Sequence, residues 1–451
     1  MKEDKLLMTE GTIWKGLDGF ALPLLLGNFF QQMYNTVDSL VVGQFCSNQS
    51  LAAVSSAGSL CHLLVGFCQG LSVGAGVVIS SKFGARDNEA VDKAVHTTVV
   101  FAFGLGALVS VIGVLFTPII LQLMNTPDSV MSASTTYFRV YCTGLLGLVM
   151  YNTANGIFQA LGDSKHHLYY LIFSSVLNVV LDLLFVAVFD MDVAGAALAT
   201  VLAQILSAVI ALGHLMSGKF IVQIKLSKLK ADKALVKQIF TLGMPSGVQN
   251  SVTSLANVVI QGYINGFGDI VMAGVGAYTK IEGFIFIPMM CLGMALTTFV
   301  SQNMGAGKVD RVREGVKIGL WIDVAIAVAF SLVYILFAEQ MMNMFTDDPD
   351  VIQAGIITAK VSAPFYMLLA FSNGTGAVMR GAGQAVIPMV VMLGAWCALR
   401  VVYMAVVTKV VSSLAIVMAV YPITWTVSAI IFAVILFRGK WIQTGLERLQ
   451  A

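Results

Sequence analysis

The sequence predicts an all-α integral membrane protein with twelve transmembrane helices, arranged as two parallel repeats of six helices each. Three observations lead to this fold class. Of the 451 residues, 58% are hydrophobic and only 11% are charged, whereas about 25% of the residues of a soluble domain are charged. Apolar runs of about 20 residues, the length needed to cross a bilayer, recur along the whole chain. The two halves of the chain also share motifs at a nearly constant offset.

Twelve apolar segments are predicted to span the membrane. They lie at residues 16–45, 51–81, 94–118, 131–161, 168–189, 194–216, 238–265, 270–303, 318–338, 351–379, 386–408 and 414–437. Basic residues favour the cytoplasmic side of a membrane, and 21 of the 26 lysines and arginines fall in the termini or in loops on the same side as the termini. We therefore expect a multi-pass protein of the cytoplasmic (inner) membrane with both termini inside the cell.

The chain contains an internal repeat. FGARDNEAV (83–91) and MGAGKVDRV (304–312) place the same Gly-Ala pair at an offset of 221, and Pro23 corresponds to Pro245 at an offset of 222. Because each half has an even number of spans, both halves have the same orientation, as in transporters whose repeats are related by an axis along the membrane normal. We expect an N-lobe at 1–216, a cytoplasmic linker at 217–237 and a C-lobe at 238–451.

Corresponding first and seventh spans each carry a stripe of polar residues on one helix face. The stripes consist of Asn28, Gln31, Asn35 and Asp38 on the first span and of Asn250, Asn257 and Gln261 on the seventh. Two such stripes cannot both face lipid, where polar groups lack partners, so we expect them to line an interior substrate cavity. At an offset of 222 Asp38 corresponds to Ile260, so only the first half has the acid.

The fifth span repeats this asymmetry. Asn178 and Asp182 lie four residues apart on one helix face, and the second half has Leu399 and Tyr403 at these positions. Acids inside a membrane are costly and often belong to proton or ion relays. Two carboxylates meeting in one lobe would favour proton uptake by one of them, and with Asn and Thr oxygens they would equally suit Na⁺. Each Asp could alternatively pair with an intramembrane basic residue and only hold helices together.

The second half has embedded charges of its own. Glu282 is placed where it could reach Arg400, and both a structural ion pair and a substrate contact remain open for these two residues. Met289, Met290 and Met294, beside Pro288, are assigned to the cavity of the C-lobe, with core filling as the alternative. Asp323 lies near the inner end of its predicted span and is interpreted as interfacial.

Motifs for enzymes, metals and nucleic acids are missing from the sequence. It contains no G-x-G-x-x-G, P-loop or H-E-x-x-H pattern, so neither catalysis nor ATP hydrolysis is expected. The six cysteines have no C-x-x-C spacing and are expected to be small buried hydrophobic residues. A net charge of +2 without interleaved basic and aromatic residues indicates no nucleic-acid partner. Uphill transport would therefore draw on an ion gradient, with no cofactor other than the coupling ion.

The first-span MYNTVDSLVVGQF, the FGARDNE after the second span and the SQNMGAGKVDR after the eighth resemble the multidrug and toxic compound extrusion (MATE) family. The resemblance covers essentially the whole chain and is nearest to the DinF-like branch. It implies a V-shaped pair of six-helix bundles, a monomer, that exports lipophilic, mostly cationic compounds by alternating access in exchange for H⁺ or Na⁺. A lipid or polysaccharide flippase of the same superfamily is the alternative.

The resemblance also implies a cation site in the N-lobe. Its members would be Asp38 and Asp182 as coupling carboxylates, Asn178 and Thr200 as supporting oxygens, and Tyr137 and Asn155 on the fourth span. A bound Na⁺ would lie at Asp38, Asn178 and Asp182. The NorM-like branch of the family instead carries acids on its seventh and tenth spans, where this chain has Asn257 and Gln261, and Lys360.

Overall fold

The computed structural model describes residues 7–45, 48–124, 126–410 and 413–450. Within the helices, the side chains of residues 38–40, 42–44, 48–53, 55–57, 59 and 450 lie outside this description. Asp38, the acid of the predicted first-span stripe, is among them, so the structure gives its backbone but not its carboxylate.

The described chain is almost entirely helical. Its α-helices are α1 (Ile13–Phe45), α2 (Asn48–Gly84), α3 (Asn88–Leu123), α4 (Asp128–Thr143), α5 (Leu145–Ala160), α6 (Ser164–Asp182), α7 (Asp192–Met216), α8 (Lys233–Asn265), α9 (Asp269–Gly305), α10 (Val309–Asn343), α11 (Pro349–Ser362), α12 (Tyr366–Gly381), α13 (Val386–Met392), α14 (Arg400–Val410), α15 (Leu414–Met418), α16 (Val420–Arg438) and α17 (Lys440–Gln450). Segments of π-helix at Leu183–Val188 and Leu393–Leu399 extend α6 and join α13 to α14.

The internal repeat is visible in the lengths of the helical stretches. When α4–α5, α11–α12 and α15–α16 are each counted as one stretch and the π-helical segments are included, the first half has stretches of 33, 37, 36, 33, 25 and 25 residues, and the second has 33, 37, 35, 33, 25 and 25. The fourth stretch of each half is interrupted at the same place. Gly144 separates α4 from α5, and the 3₁₀ turn Ala363–Phe365, at an offset of about 221, separates α11 from α12.

Tight turns also recur at the offset of the repeat. Gly162 (φ 85°) and Gly383 (φ 74°) follow the fourth stretch of each half in the left-handed region, which glycine enters without steric cost. Their amides are bonded to the carbonyls three residues earlier, those of Gln159 and Arg380. The sequence match between these two glycines therefore has a conformational cause.

Nine of the described helical segments are long and apolar enough to cross a membrane. The three stretches outside this set are α1, α4–α5 and α8, and two of these, α1 and α8, carry the polar stripes. The protein is thus an all-helical, multi-pass membrane protein, and the count of twelve spans stays a prediction. The five described cysteines are buried, as predicted, whereas Cys46 lies outside the described residues.

The helices form two compact units. Unit 1 consists mainly of Leu22–Gly247, and unit 2 of Met8–Ala21 with Val248–Ala451. The boundaries differ from the predicted lobes because the beginnings of α1 and α8 each belong to the other unit. In unit 2 the amide of Met8 donates to Gln302 Oε1 at 2.8 Å, and Arg311 donates to backbone carbonyls of residues 8, 10 and 11.

The linker between α7 and α8 packs on α3 within unit 1. It runs from residue 217 to 232, because α8 begins at Lys233 and not at the predicted 238. The amide of Lys225 donates to His96 Nε2 at 2.9 Å, and Lys93 pairs with Asp232 at 2.7 Å. The hydrogen bond from Lys93 lowers the pKa of Asp232, so its contribution to docking is present at neutral pH and is lost on strong acidification.

Candidate functional sites

A buried carboxylate lies at the end of α6 in unit 1. Asp182 is fully buried (0% exposed), and Asn178, four residues earlier on the same helix face, is buried beside it. When the Asn178 amide is oriented by its hydrogen bonds, its nitrogen donates to Asp182 Oδ2 at 3.1 Å and its oxygen accepts from the Thr200 amide at 3.3 Å. The structure therefore brings together three of the residues that the resemblance implies, on α6 and α7.

The turn of α1 that carries Asp38 lies against the same ends of α6 and α7. Val41, with Val37 against it, forms a small hydrophobic cluster with Val186 and Ala196. Val186 is four residues after Asp182, and Ala196 is four residues before Thr200. The backbone of Asp38 is thus close to the level of this group, and the position of its carboxylate stays a prediction.

A small cavity lies beside Thr200. It is lined by Tyr141, Gly144, Leu145, Leu148, Thr200, Val201 and Gln204 and has about 10 Å³ of space for the centre of a water molecule, enough for one small occupant. Gln204 Oε1 is buried without a hydrogen-bond partner among the described residues. Sequence reasoning missed Gln204, although its spacing of four residues from Thr200 on α7 places both side chains on one face.

The two predicted fourth-span residues differ in position. Tyr137 is half-buried, and its ring stacks on Tyr141 of the small cavity with centroids 6.4 Å apart. Gly144 packs closely on Val201 of α7, since a Cβ added to this glycine would lie 2.3 Å from Val201 Cγ2. Asn155 is eleven residues further along the chain. At 1.5 Å per residue, Asn155 is about 16 Å along the axis from the level of Val201 and Thr200. The structure therefore does not bring Asn155 to Asp182, because a span match cannot fix the level within the span.

The polar stripes of α1 and α8 are at least partly accessible. Gln31 is half-buried and Asn35 is exposed on α1, while Asn257 and Gln261 are exposed on α8. Gln261 Nε2 donates to Asn265 Oδ1 at 2.8 Å, one turn further along the same helix. The accessibility of these side chains is compatible with a cavity, and the cavity itself stays a prediction.

Glu282 in unit 2 is held by two tyrosines. The hydroxyls of Tyr278 and Tyr366 lie 2.8 and 3.1 Å from Glu282 Oε1 and 2.7 Å from each other. Tyr334 packs edge-to-face on both rings, with centroids 5.7 and 6.4 Å away. Glu282 itself is half-buried, so it combines a fixed carboxylate oxygen with aromatic neighbours and partial access.

Two residues predicted for the substrate cavity are instead buried in unit 2. Arg400 is 4% exposed, its guanidinium lies over Tyr421 (4.7 Å to the ring centroid) and donates to Thr424 Oγ1 at 3.3 Å. Within the described residues it forms no ion pair with Glu282. Met289 is 1% exposed inside the hydrophobic core, whereas Met290 is 52% exposed. One residue turns a helix by about 100°, so Met289 faces the core while Met290, assigned to the same cavity, is accessible.

Asp323 is also placed differently from its prediction. It is fully buried (0% exposed) in unit 2 and not interfacial. The helix α10 begins at Val309 and not near 318, which puts Asp323 fourteen residues from the helix start. Charged residues at 310–317 make the beginning of α10 polar. The hydropathy pattern therefore placed the start of this helix too late in the sequence, at 318.

Comparisons with known proteins agree with this architecture. A model of the MatE family matches residues 23–184 and again 245–404, which reproduces the internal repeat. Among curated relatives, the probable multidrug resistance protein YoeA of Bacillus subtilis (strain 168) is 28% identical over 392 residues, covering 85% of each chain. The multidrug export protein MepA of Staphylococcus aureus (strain MSSA476) is 22% identical over 386 residues, covering 85% of this chain and 84% of its own.

Solved structures share the fold. A crystal structure of a MATE protein in complex with MaL6 has a TM-score of 0.90 and 22% identity, covering 100% of this chain and 99% of the other. The outward-facing conformation of a multidrug resistance MATE family transporter gives the same TM-score, identity and coverage. At this identity the likeness concerns the fold alone.

Proposed function

Because the chain belongs to the MATE family, and is thus a membrane transporter and not an enzyme, we propose that it is a cation-coupled antiporter. It exports lipophilic, mostly cationic compounds by alternating access, in exchange for H⁺ or Na⁺. In this proposal it is a DinF-like member with twelve spans, active as a monomer in the cytoplasmic membrane with both termini inside. The names of the relatives, a multidrug export protein and a probable multidrug resistance protein, support the substrate class.

The group of Asp182, Asn178 and Thr200 carries the proposal. A carboxylate with 0% exposure inside a membrane protein is costly unless it is protonated, paired or bound to a cation. Asn178 fixes one carboxylate oxygen of Asp182, so the acid has a defined position rather than a mobile one. A proton or a Na⁺ ion would each relieve the cost of burial, and the oxygens around it suit both.

The coupling group of Asp38, Asp182, Asn178 and Thr200 is proposed to lie within unit 1. Asp38 adds the second carboxylate, with its turn of α1 packed near the same ends of α6 and α7. Tyr137 and the small cavity at Thr200 and Gln204 complete the polar surroundings on the other side. The second half has Ile260, Leu399 and Tyr403 where the first has Asp38, Asn178 and Asp182, so this group has no counterpart there.

Substrate recognition is proposed to involve the polar stripes and Glu282. Gln31 and Asn35 on α1, and Asn257 and Gln261 on α8, supply accessible amides. Glu282 supplies a half-buried acid among tyrosine rings, and an acid together with aromatic faces is the chemistry that attracts lipophilic cations. Coupling then requires only that ion binding and substrate binding disfavour each other, so that each drives release of the other.

Transport by the purified protein in proteoliposomes tests this function. We expect a fluorescent lipophilic cation to be moved against its gradient when an H⁺ or a Na⁺ gradient is imposed, and not without either. Imposing each gradient alone identifies the coupling ion. Movement that is indifferent to both gradients would refute the antiporter.

A further inference from the structure

The carboxylate of Asp323 in unit 2 is buried without a partner. Its exposure is 0%, and neither Oδ1 nor Oδ2 has a hydrogen-bond partner among the described residues. The hydroxyl of Thr375 on the neighbouring α12 is likewise buried and unsatisfied within the described chain. An ionised carboxylate without a partner in such surroundings is far more costly than a neutral one. A residue that served only to hold helices together would be expected to have a partner.

The surroundings of Asp323 are apolar and closely packed. A Cβ added to Gly374 on α12 would lie 2.7 Å from Leu320 Cδ2, 3.0 Å from Asp323 Oδ2 and 3.9 Å from Leu296 Cδ1. The carboxyl therefore lies where α10 approaches α12, with α9 close by, and glycine at 374 leaves the room for it. Any larger residue at this position would crowd the oxygen.

Asp323 and Gly374 both differ from their counterparts in the first half of the repeat. At the offset of 221, Asp323 corresponds to Ala102 on α3, and Gly374 corresponds to Thr153 on α5. Unit 1 thus has a small apolar residue in place of the acid and a larger residue in place of the glycine. The acid and the space for it are a feature of unit 2 only.

Among the described residues, no charged group on the two closest helices compensates Asp323. On α10 the nearest charged residue, Lys317, is six residues away, or about 9 Å along the axis. Arg380 on α12 is six residues beyond Gly374, and its guanidinium lies against Gly376, on the face toward Pro388 and Met392. Positions that differ by two residues, such as Gly374 and Gly376, point about 200° apart around a helix. The face at Gly376 is therefore turned away from Asp323.

Titratable groups on α9, on α11 and further along α10 are also distant from Asp323. On α9, Glu282 precedes Leu296 by fourteen residues, about 21 Å along the axis, and the thiol of Cys291 precedes it by five, about 8 Å. On α11, Lys360 is three residues before Ala363, and the carbonyl of Ala363 accepts from the hydroxyl of Ser331 on α10. Ser331 is eight residues beyond Asp323, or about 12 Å along the helix, so Lys360 lies near that level and not near Asp323. Tyr334 on α10 is about 16 Å beyond Asp323 by the same measure. Neutralisation of the acid must therefore come from a bound ion.

We propose that Asp323 is a second proton-binding site, in unit 2, which holds a proton in this conformation and exchanges it with water once per transport cycle. The site goes beyond the proposed coupling group of unit 1, which uses other residues in the other unit. A route for the proton is short, because the charged beginning of α10 at Lys317 is only about 9 Å away along the helix. Release would occur when a change of conformation hydrates the space at Gly374.

Infrared spectroscopy of the reconstituted full-length protein tests proton occupancy without requiring transport. We expect a component of the carbonyl stretching band of protonated carboxyl groups to be present in the wild type at neutral pH and missing in the near-isosteric Asp323→Asn variant. Asp323→Ser serves as a second variant if Asn impairs folding. Glu314→Gln, which removes an exposed acid of the same helix, should leave this component unchanged. If the Asp323 variants instead lose intensity from the bands of ionised carboxylates, or if the component depends on Na⁺, the proposal is overturned.

Proton counting tests the exchange. We expect Asp323→Asn to lower by one the number of protons exchanged per substrate molecule, while Glu314→Gln keeps the wild-type number. An unchanged number in Asp323→Asn refutes exchange at this site. If the wild type exchanges no protons but exports under a Na⁺ gradient, the Asp323 proposal fails while the antiporter function survives.

Discussion

Asn178 joins two oxygen-bearing residues that belong to different helices. It donates to the Asp182 carboxylate on α6 and accepts from the Thr200 amide on α7. Because both contacts use one planar amide, the distance between α6 and α7 at this level determines how well the carboxylate is held. Ion binding at Asp182 and movement of α7 relative to α6 are therefore expected to be linked.

Gln204 provides a test of how far the ion site extends along α7. Its Oε1 is a buried acceptor without a partner among the described residues, in the cavity beside Thr200. We expect Gln204→Leu to raise the ion concentration for half-maximal export by about tenfold, the equivalent of one lost charge-assisted hydrogen bond of roughly 1.4 kcal/mol. The measurement is export rate against ion concentration, with Gln122→Leu, at an exposed glutamine of α3 in the same unit, as control. Equal effects of the two variants would argue against a role for Gln204.

Helix periodicity was enough to predict which side chains share a helix face, while the ion site that they form stays a proposal. The spacing of Asn178 and Asp182, with Thr200 added by resemblance, identified side chains that the structure brings together. The sequence did not indicate the level of Asn155 or the burial of Met289 and Arg400, because level along a span and burial depend on packing between helices. Asp323 was interpreted as interfacial for a related reason: hydropathy marks the apolar part of a helix and not the residue at which the helix begins.

At the scale of elements, the linker is held by contacts to α3 that the sequence pattern did not reveal. His96 Nδ1 donates to the carbonyl of Asp92, which leaves Nε2 to accept from the amide of Lys225. Lys228 pairs with Asp92 at 2.8 Å, and Lys93 pairs with Asp232. Of the side chains in these contacts only His96 is buried, so its hydrogen bond is the contact that water replaces least readily.

The role of His96 in linker docking is testable by hydrogen exchange. We expect His96→Leu to make the amide of Lys225 exchange about five to ten times faster, which corresponds to the loss of one hydrogen bond of about 1 kcal/mol. His62→Leu, at an exposed histidine of α2, is the matched control. If the Lys225 amide exchanges at the wild-type rate in His96→Leu, the linker is held by its ion pairs alone.

The internal repeat could be predicted because it follows from the offset of about 221 residues. The interruptions within the fourth stretches were not predicted. Gly144 ends α4 with its amide bonded to the carbonyl of Tyr141, and Pro364 falls in the 3₁₀ turn between α11 and α12. Such breaks need only one residue, so an apolar run gives little sign of them.

At the scale of the whole molecule, two units built from the same repeat carry different acids. Unit 1 has Asp182 with Asn178 and Thr200, and unit 2 has Asp323 in an apolar site and Glu282 among tyrosines. At the offset of 221, each acid has an uncharged counterpart in the other half: Tyr403 for Asp182, Ala102 for Asp323 and Cys61 for Glu282. A duplicated scaffold with unequal acids suits a transporter whose halves have different tasks.

The central claim is that gradient-driven export requires the coupling group of unit 1 and that the substrate is recognised with the help of unit 2. The most direct measurement is gradient-driven export by Asp182→Asn and Glu282→Gln in the same proteoliposomes. We predict that Asp182→Asn loses export driven by the gradient, while Glu282→Gln keeps the dependence on the gradient and needs about tenfold more cationic substrate, roughly 1.4 kcal/mol of binding. Gradient-driven export that survives in Asp182→Asn, or disappears in Glu282→Gln, would contradict the account.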